Sequence, residues 1–217
     1  MKYVENIQQV AEVQPDYLGF IFYDRSPRNF EGIIPELPKG IKKVGVFVNE
    51  YIEIVVSLIQ EYQLDVVQLH GDESVEYIEK LKEAFQTAEE ELIAQLKKKR
   101  KPKTIEIVKV FGVKDEFDFS ILKPFEAIVD FFLFDTKGKE RGGNGITFNW
   151  KVLENYNSTV PFFLSGGIGL KELPEVQNLL KSNLPIHALD VNSKFETKPG
   201  IKSVKDIKKL RHIAASL

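Results

Sequence analysis

Short apolar runs that stop at a polar or glycine-bearing turn, each followed by a stretch with helical spacing, recur along the whole chain. This repeat limits the fold more than any other feature. Phe131-Phe132-Leu133-Phe134 is the clearest run: it ends in Asp135-Thr136 and a polar, glycine-rich stretch over 137–145. An apolar run this short and this continuous reads as a strand buried on both faces, as in a parallel sheet. Residues 17–22, 44–48, 64–70, 105–111, 160–164 and 186–191 read the same way.

Between these runs the spacing predicts helices over about 51–62, from Ser74 to at least Phe85, and over about 149–156, 171–182 and 203–215. Asn49 and Asn149 read as N-caps of the helices that follow them. Residues 118–127 give an irregular helical segment broken by Pro124, and 30–40 allow at most a short helix. Strand then helix, repeated with short turns, means right-handed βαβ units in a parallel sheet.

The chain opens differently. Apolar side chains at 4, 7, 10, 11 and 13 mark a helix with no strand ahead of it. Seven strands and an unpaired leading helix predict a (β/α)8 TIM barrel whose first β-strand is missing, a single domain over 1–217. A doubly wound open sheet is the rival arrangement. Residues 86–103 fall outside the repeat, with Glu89-Glu90-Glu91 first and Lys97-Lys98-Lys99-Arg100-Lys101 last. Acid before base suits a solvated helix extension.

Composition narrows the function class. A net charge of −2 gives no whole-chain attraction to nucleic acid or membrane, and the absence of cysteine excludes disulfides and thiolate metal sites. No run reaches the roughly 18 apolar residues of a membrane span, and a cytoplasmic enzyme is the default reading.

Chemistry-bearing residues gather where barrel enzymes keep them, at the C-terminal ends of strands. Ser165-Gly166-Gly167 and Asp190-Val191-Asn192-Ser193 follow the last two strands and together form a candidate phosphate cradle. Asp135 is the candidate general acid, its strand-end position desolvating it in part. His70 also ends a strand and reads as structural or substrate-orienting. Arg28, after Ser26-Pro27, has the bidentate fork that suits a carboxylate; the bland alternative is an exposed surface arginine. His187 reads as a barrel-strand residue and His212 as a surface one.

These motifs, taken in order, resemble phosphoribosylanthranilate isomerase. The resemblance rests on Gly19-Phe20-Ile21-Phe22-Tyr23 with Ser26-Pro27-Arg28, Gly45-Val46-Phe47-Val48-Asn49 and Gln68-Leu69-His70-Gly71-Asp72-Glu73. It continues through Phe134-Asp135-Thr136, Gly142-Gly143-Asn144-Gly145, Leu164-Ser165-Gly166-Gly167, and Leu189-Asp190-Val191-Asn192-Ser193 with Glu196 and Pro199-Gly200. It implies a (β/α)8 barrel that isomerises N-(5′-phosphoribosyl)anthranilate in tryptophan biosynthesis by an Amadori rearrangement, with no metal or cofactor. It implies Asp135 as the acid, Arg28 on the anthranilate carboxylate, Gly166, Gly167, Asn192 and Ser193 around the phosphate, with Asp190 in the same loop, and His70 at the mouth. The implied partner is a small phosphorylated substrate, without nucleic acid or membrane, for a monomer or homodimer.

One departure is large. The family's first strand is of the type Lys-Ile/Val-Cys-Gly and its cysteine is the general base; here strand and base are absent together, and Met1 aligns just after that Cys-Gly. The expected barrel therefore gapes between its last strand and residues 17–22, leaving two unpaired edges. The competing readings are a non-catalytic barrel that binds phosphorylated ligands and another phosphate-binding barrel enzyme, such as indole-3-glycerol-phosphate synthase. The latter lacks support, since no lysine pair and glutamate stand at strand ends in its manner.

Overall fold

In a computed structural model, which describes residues 1–97, 101–136 and 149–214, the apolar runs become seven parallel strands in chain order. They are β1 (Tyr17–Phe22), β2 (Lys42–Phe47), β3 (Val66–Leu69), β4 (Glu106–Val113), β5 (Phe131–Thr136), β6 (Phe162–Leu164) and β7 (Ile186–Leu189). Around them lie α1 (Val4–Ala11), α2 (Ile52–Tyr62), α3 (Val75–Leu96), α4 (Leu173–Leu180) and α5 (Val204–Ala214). Short 3₁₀ turns at Phe119–Phe125 and Trp150–Asn155 take the place of longer helices after β4 and β5. The stretch over 30–40 forms no helix.

The strands' side chains divide into two sets. Val44, Val46, Val66, Val108, Val110, Leu133 and Phe163 form one buried cluster, joined by Tyr17, Ile21, Phe131 and Ala188 from both ends of the sheet. Residues one step along, such as Phe20, Phe47, Val67, Leu69, Phe132 and Leu164, pack instead with Ile7 and Val10 of α1, Ile59 of α2, Ile78 of α3 and Ile207 of α5. A cluster shared by β1 and β6 requires the sheet to curl on itself, with the first set inside and the helices outside. The Tyr17 and Phe163 rings meet edge to face at 5.2 Å. The curl favours the barrel over the open doubly wound sheet.

The curl does not close by backbone pairing. β1 pairs only with β2 and β7 only with β6, so these two strands are the sheet's edges among the described residues. Met1 lies buried beside this opening, its nitrogen donating to the Gly19 carbonyl of β1.

Three local expectations need correction. Asn49 is not the cap of α2: Tyr51 holds that position, and Asn49 adopts a left-handed φ of 51°. From there its Oδ1 accepts from Asp72 N at 2.6 Å, tying the β2–α2 loop to the β3–α3 loop. The segment over 86–103 is not wholly a solvated extension. α3 runs unbroken through Leu96, and Glu89 is buried, accepting from Lys103 N at 3.0 Å where the chain returns. Finally, sequence spacing missed a small antiparallel hairpin, β8 (Glu196–Lys198) with β9 (Ile201–Lys202). Asn149 caps the turn after it by accepting from Lys151 N, as expected, and Ser74, where the spacing predicts the helix to start, caps α3 by accepting from Tyr77 N. The polar stretch over 137–145 lies outside the described residues.

Candidate active site

Parallel strands that all point one way deliver their C-terminal ends to one rim. That rim surrounds a cavity of about 1210 Å³ whose lining includes Arg28, His70, Asp135, Gly167, Asn192 and Ser193. Five strand ends contribute, so the sequence-predicted residues converge although they lie more than 150 positions apart.

Asp135, inside the last residues of β5, sits 3.6 Å from His70 Nε2 through its Oδ2, with side chains only 14% and 17% exposed. Its Oδ1 accepts from Thr136 N at 2.8 Å, which fixes the carboxyl plane. The loop carrying His70 is held from behind. Glu73 accepts from the backbone nitrogens of Asn49 and Gly71 and from Lys109 Nζ at 2.9 Å, and the same Nζ bonds the Gly71 carbonyl at 2.8 Å. Lys109 stands on the helix side of β4, so a buried ion pair outside the barrel positions an imidazole inside it.

Gly166 and Gly167 take φ of 90° and 65°, left-handed values that exclude most side chains. Ser165 donates to Asp190 Oδ2 at 2.9 Å, joining the loops after β6 and β7. Burial pushes the Asp190 carboxyl above the usual carboxylate range, and the charge of Asp135 across the cavity adds to the rise. Asp190 thus serves as a tether between the cradle's two loops, a task that its loop position alone did not reveal.

Arg28 is not a surface residue: its side chain is 14% exposed and its fork is occupied. Nε lies 2.9 Å and Nη2 2.7 Å from Glu196 Oε2. Glu196 also accepts from Gly200 N and from Lys202 Nζ, and Lys202 bonds the Asn192 amide oxygen. Burial alone would raise the Glu196 carboxyl; the bonds from Arg28 and Lys202 outweigh it and hold the group low. Sequence reasoning gave Glu196 no role and passed over Lys202. The signal was available in Pro199-Gly200, a turn pair that folds the two charges together.

Among the described residues no cluster of His, Asp and Glu could hold a metal ion, and no helix is long and apolar enough to cross a membrane.

A curled parallel sheet with an acid–imidazole pair and glycine-bearing loops on its strand-end rim is the layout of a (β/α)-barrel enzyme. The family model for N-(5′-phosphoribosyl)anthranilate (PRA) isomerase matches residues 1–96 and 88–213. The chain is 34% identical over 214 residues to the N-(5′-phosphoribosyl)anthranilate isomerase of Parabacteroides distasonis, with 96% of this chain and 87% of that one covered. It is 36% identical to the isomerase of Thermoanaerobacter pseudethanolicus, covering 95% and 89%. The crystal structure of phosphoribosyl anthranilate isomerase from Thermotoga maritima superposes with a TM-score of 0.78 at 29% identity, covering 100% of this chain and 96% of that one. The chain belongs to the N-(5′-phosphoribosyl)anthranilate isomerase family.

Proposed function

We propose that the chain's reaction is the isomerisation of N-(5′-phosphoribosyl)anthranilate to 1-(2-carboxyphenylamino)-1-deoxyribulose 5-phosphate in tryptophan biosynthesis. The observation that carries this reading is the Asp135–His70 pair on the same cavity as both phosphate-type loops. A related structure holds the reduced form of that product, at 27% identity and a TM-score of 0.74.

In this reading Asp135 protonates the ribose ring oxygen and opens the ring to a Schiff base. A general base then removes the C2′ proton, and the enolamine tautomerises to the ketone. Gly166, Gly167, Asn192 and Ser193 surround the phosphate, Arg28 meets the anthranilate carboxylate, and His70 orients the substrate beside the acid. Arg28 can do so while bound to Glu196, because Nη1 has no protein partner among the described residues.

The base is the step this sequence does not supply, for it has no thiol. Its place is the opening between β1 and β7, which we read as the position of the barrel's first strand. Supporting this, Tyr17 with Leu18, and Ala188 with Leu189, line the same cavity. Neighbouring strand residues point to opposite faces, so a cavity reaching both faces passes between the edges. Without the base, turnover falls by about 10²–10⁴-fold. Binding weakens less, since the two phosphate loops are tied to each other by the Ser165–Asp190 bond and not through the missing strand. The setting is cytoplasmic and the assembly a monomer or homodimer; a Thermotoga relative is described as dimeric.

The test follows the loss of substrate fluorescence with this chain and with a version carrying Lys-Val-Cys-Gly ahead of Met1. Turnover only in the extended version supports the reading. Ordinary turnover by the shorter chain removes the need for the strand's base. No turnover in either leaves a barrel that binds phosphorylated ligands without converting them, the alternative that the missing thiol favours.

A further inference from the structure

The Arg28–Glu196 pair raises a charge problem at the cavity mouth. A guanidinium locked onto one carboxylate is neutral as a unit and has little pull left for an anionic ligand. Here the carboxylate is shared. Oε1 of Glu196 receives Lys202 Nζ at 2.9 Å and Gly200 N at 3.1 Å, while Oε2 receives the nearest bonds from Arg28. Burial pulls the Lys202 ammonium down, and the Glu196 and Asp190 charges pull it part of the way back up. With Lys202 charged, the three side chains carry +1, Glu196 being only 4% exposed, Lys202 10% and Arg28 14%. A surplus charge held this far from water is costly unless something answers it. Asp190 also faces this charge, but its Oδ2 is taken by the Ser165 hydroxyl, while the Lys202 Nζ bonds go to Glu196 and Asn192.

We propose that Lys202 is a positioning residue that shares Glu196 with Arg28, so that the mouth keeps one uncompensated positive charge for a ligand carboxylate. β9 holds it there. Lys202 exchanges two backbone bonds with the buried Asn6 of α1, Nδ2 to its carbonyl at 3.0 Å and its N–H to Oδ1 at 2.8 Å. From there its Nζ reaches Glu196 Oε1 and the Asn192 amide oxygen. The chemical class it serves is an aryl carboxylate approaching Arg28 Nη1, which rests on the isomerase reading above.

The experiment measures Kd by calorimetry for two probes: reduced 1-(o-carboxyphenylamino)-1-deoxyribulose 5-phosphate and the same compound without its carboxyl. Lys202→Met, which makes the triad neutral, is expected to weaken the carboxylated probe about tenfold or more and the other less than about twofold. Lys202→Arg restores the preference. So does Lys202→Met combined with Glu196→Gln, which returns the triad to +1; a merely structural lysine would not be rescued by removing its partner. The double variant also carries the test should Lys202→Met alone unfold. An unchanged ratio between the probes in Lys202→Met, equal weakening of both, or failure of the double variant to recover the ratio overturns the inference and leaves the isomerase reading standing. A wild-type chain that binds neither probe overturns both.

Discussion

The Tyr17 hydroxyl lies 2.7 Å from His187 Nε2, a side-chain bond between β1 and β7, two strands that share no backbone ladder. It sits at the N-terminal end of the barrel interior, with the Phe131 ring 4.4 Å from the imidazole. Burial, with the nearby charge of Lys42, pushes the imidazole below its ordinary range, and burial pushes the Tyr17 phenol up. Both shifts keep the pair neutral. Tyr17→Phe should cost about 1 kcal/mol at pH 8, read as a fall of about 2–4 °C in Tm.

The same pair predicts a pH dependence. Above the ordinary imidazole value of 6.5, folded and unfolded chains both hold His187 neutral. As pH falls from 6.5, the unfolded chain takes the proton first, so the stability contribution declines until the lower folded value is passed. Melting at pH 8 and at pH 5.5, for the native chain and for His187→Phe, isolates this term. The gap between the two pH values should shrink in the variant; an equal gap would remove His187 from the account.

Much of this architecture is legible in the sequence, and the failures share a physical cause. Strands buried on both faces, such as the one built on Phe131-Phe132-Leu133-Phe134, advertise themselves because such a run is continuously apolar. The rim residues Asp135 and His70 follow directly, since a polar residue ending such a run has one rim to reach. What the sequence hides is pairing at long separation. Arg28 and Glu196 are 168 positions apart, and Lys109 reads as a polar interruption of β4 until Glu73 is placed behind it. Asn49 looks like a cap because Asn commonly is one; only the fold shows its left-handed backbone serving the neighbouring loop.

Lys109 and Glu73 give a stability prediction. Glu73→Ala strands a buried ammonium and also two backbone donors, at Asn49 and Gly71, and should cost about 3–5 kcal/mol in urea unfolding. Lys109→Met leaves Glu73 with both backbone donors and should cost distinctly less. The reverse order would mean that the pair, not the backbone anchoring, dominates.

Gly45 in β2 faces the helices, where a Cβ would lie 2.5 Å from Leu64 Cδ1 and 2.7 Å from the Phe47 ring. Both neighbours are fully buried, so neither can retreat cheaply. Gly45→Ala should therefore destabilise by about 1–3 kcal/mol despite the better strand propensity of alanine. Gly19, where a Cβ meets nothing within 4 Å, is the internal control and should tolerate the same change.

Asp135→Asn tests the acid. The amide keeps an oxygen to accept from Thr136 N, so the geometry survives, but it has no proton to give to the ring oxygen. In the version extended ahead of Met1, kcat should fall by about 10²–10⁴-fold while Kd for the reduced product analogue changes little. Asp190 is the competitor for this role, because its burial-raised carboxyl holds a proton longer and it faces the same cavity. Asp190→Asn likewise keeps an oxygen to accept from the Ser165 hydroxyl and should leave kcat and phosphate binding nearly unchanged, whereas Asp190→Ala, which removes the tether between the two loops, should weaken phosphate binding. If kcat collapses in Asp190→Asn and survives in Asp135→Asn, the proton comes from the last strand and the roles of the two carboxyls are exchanged.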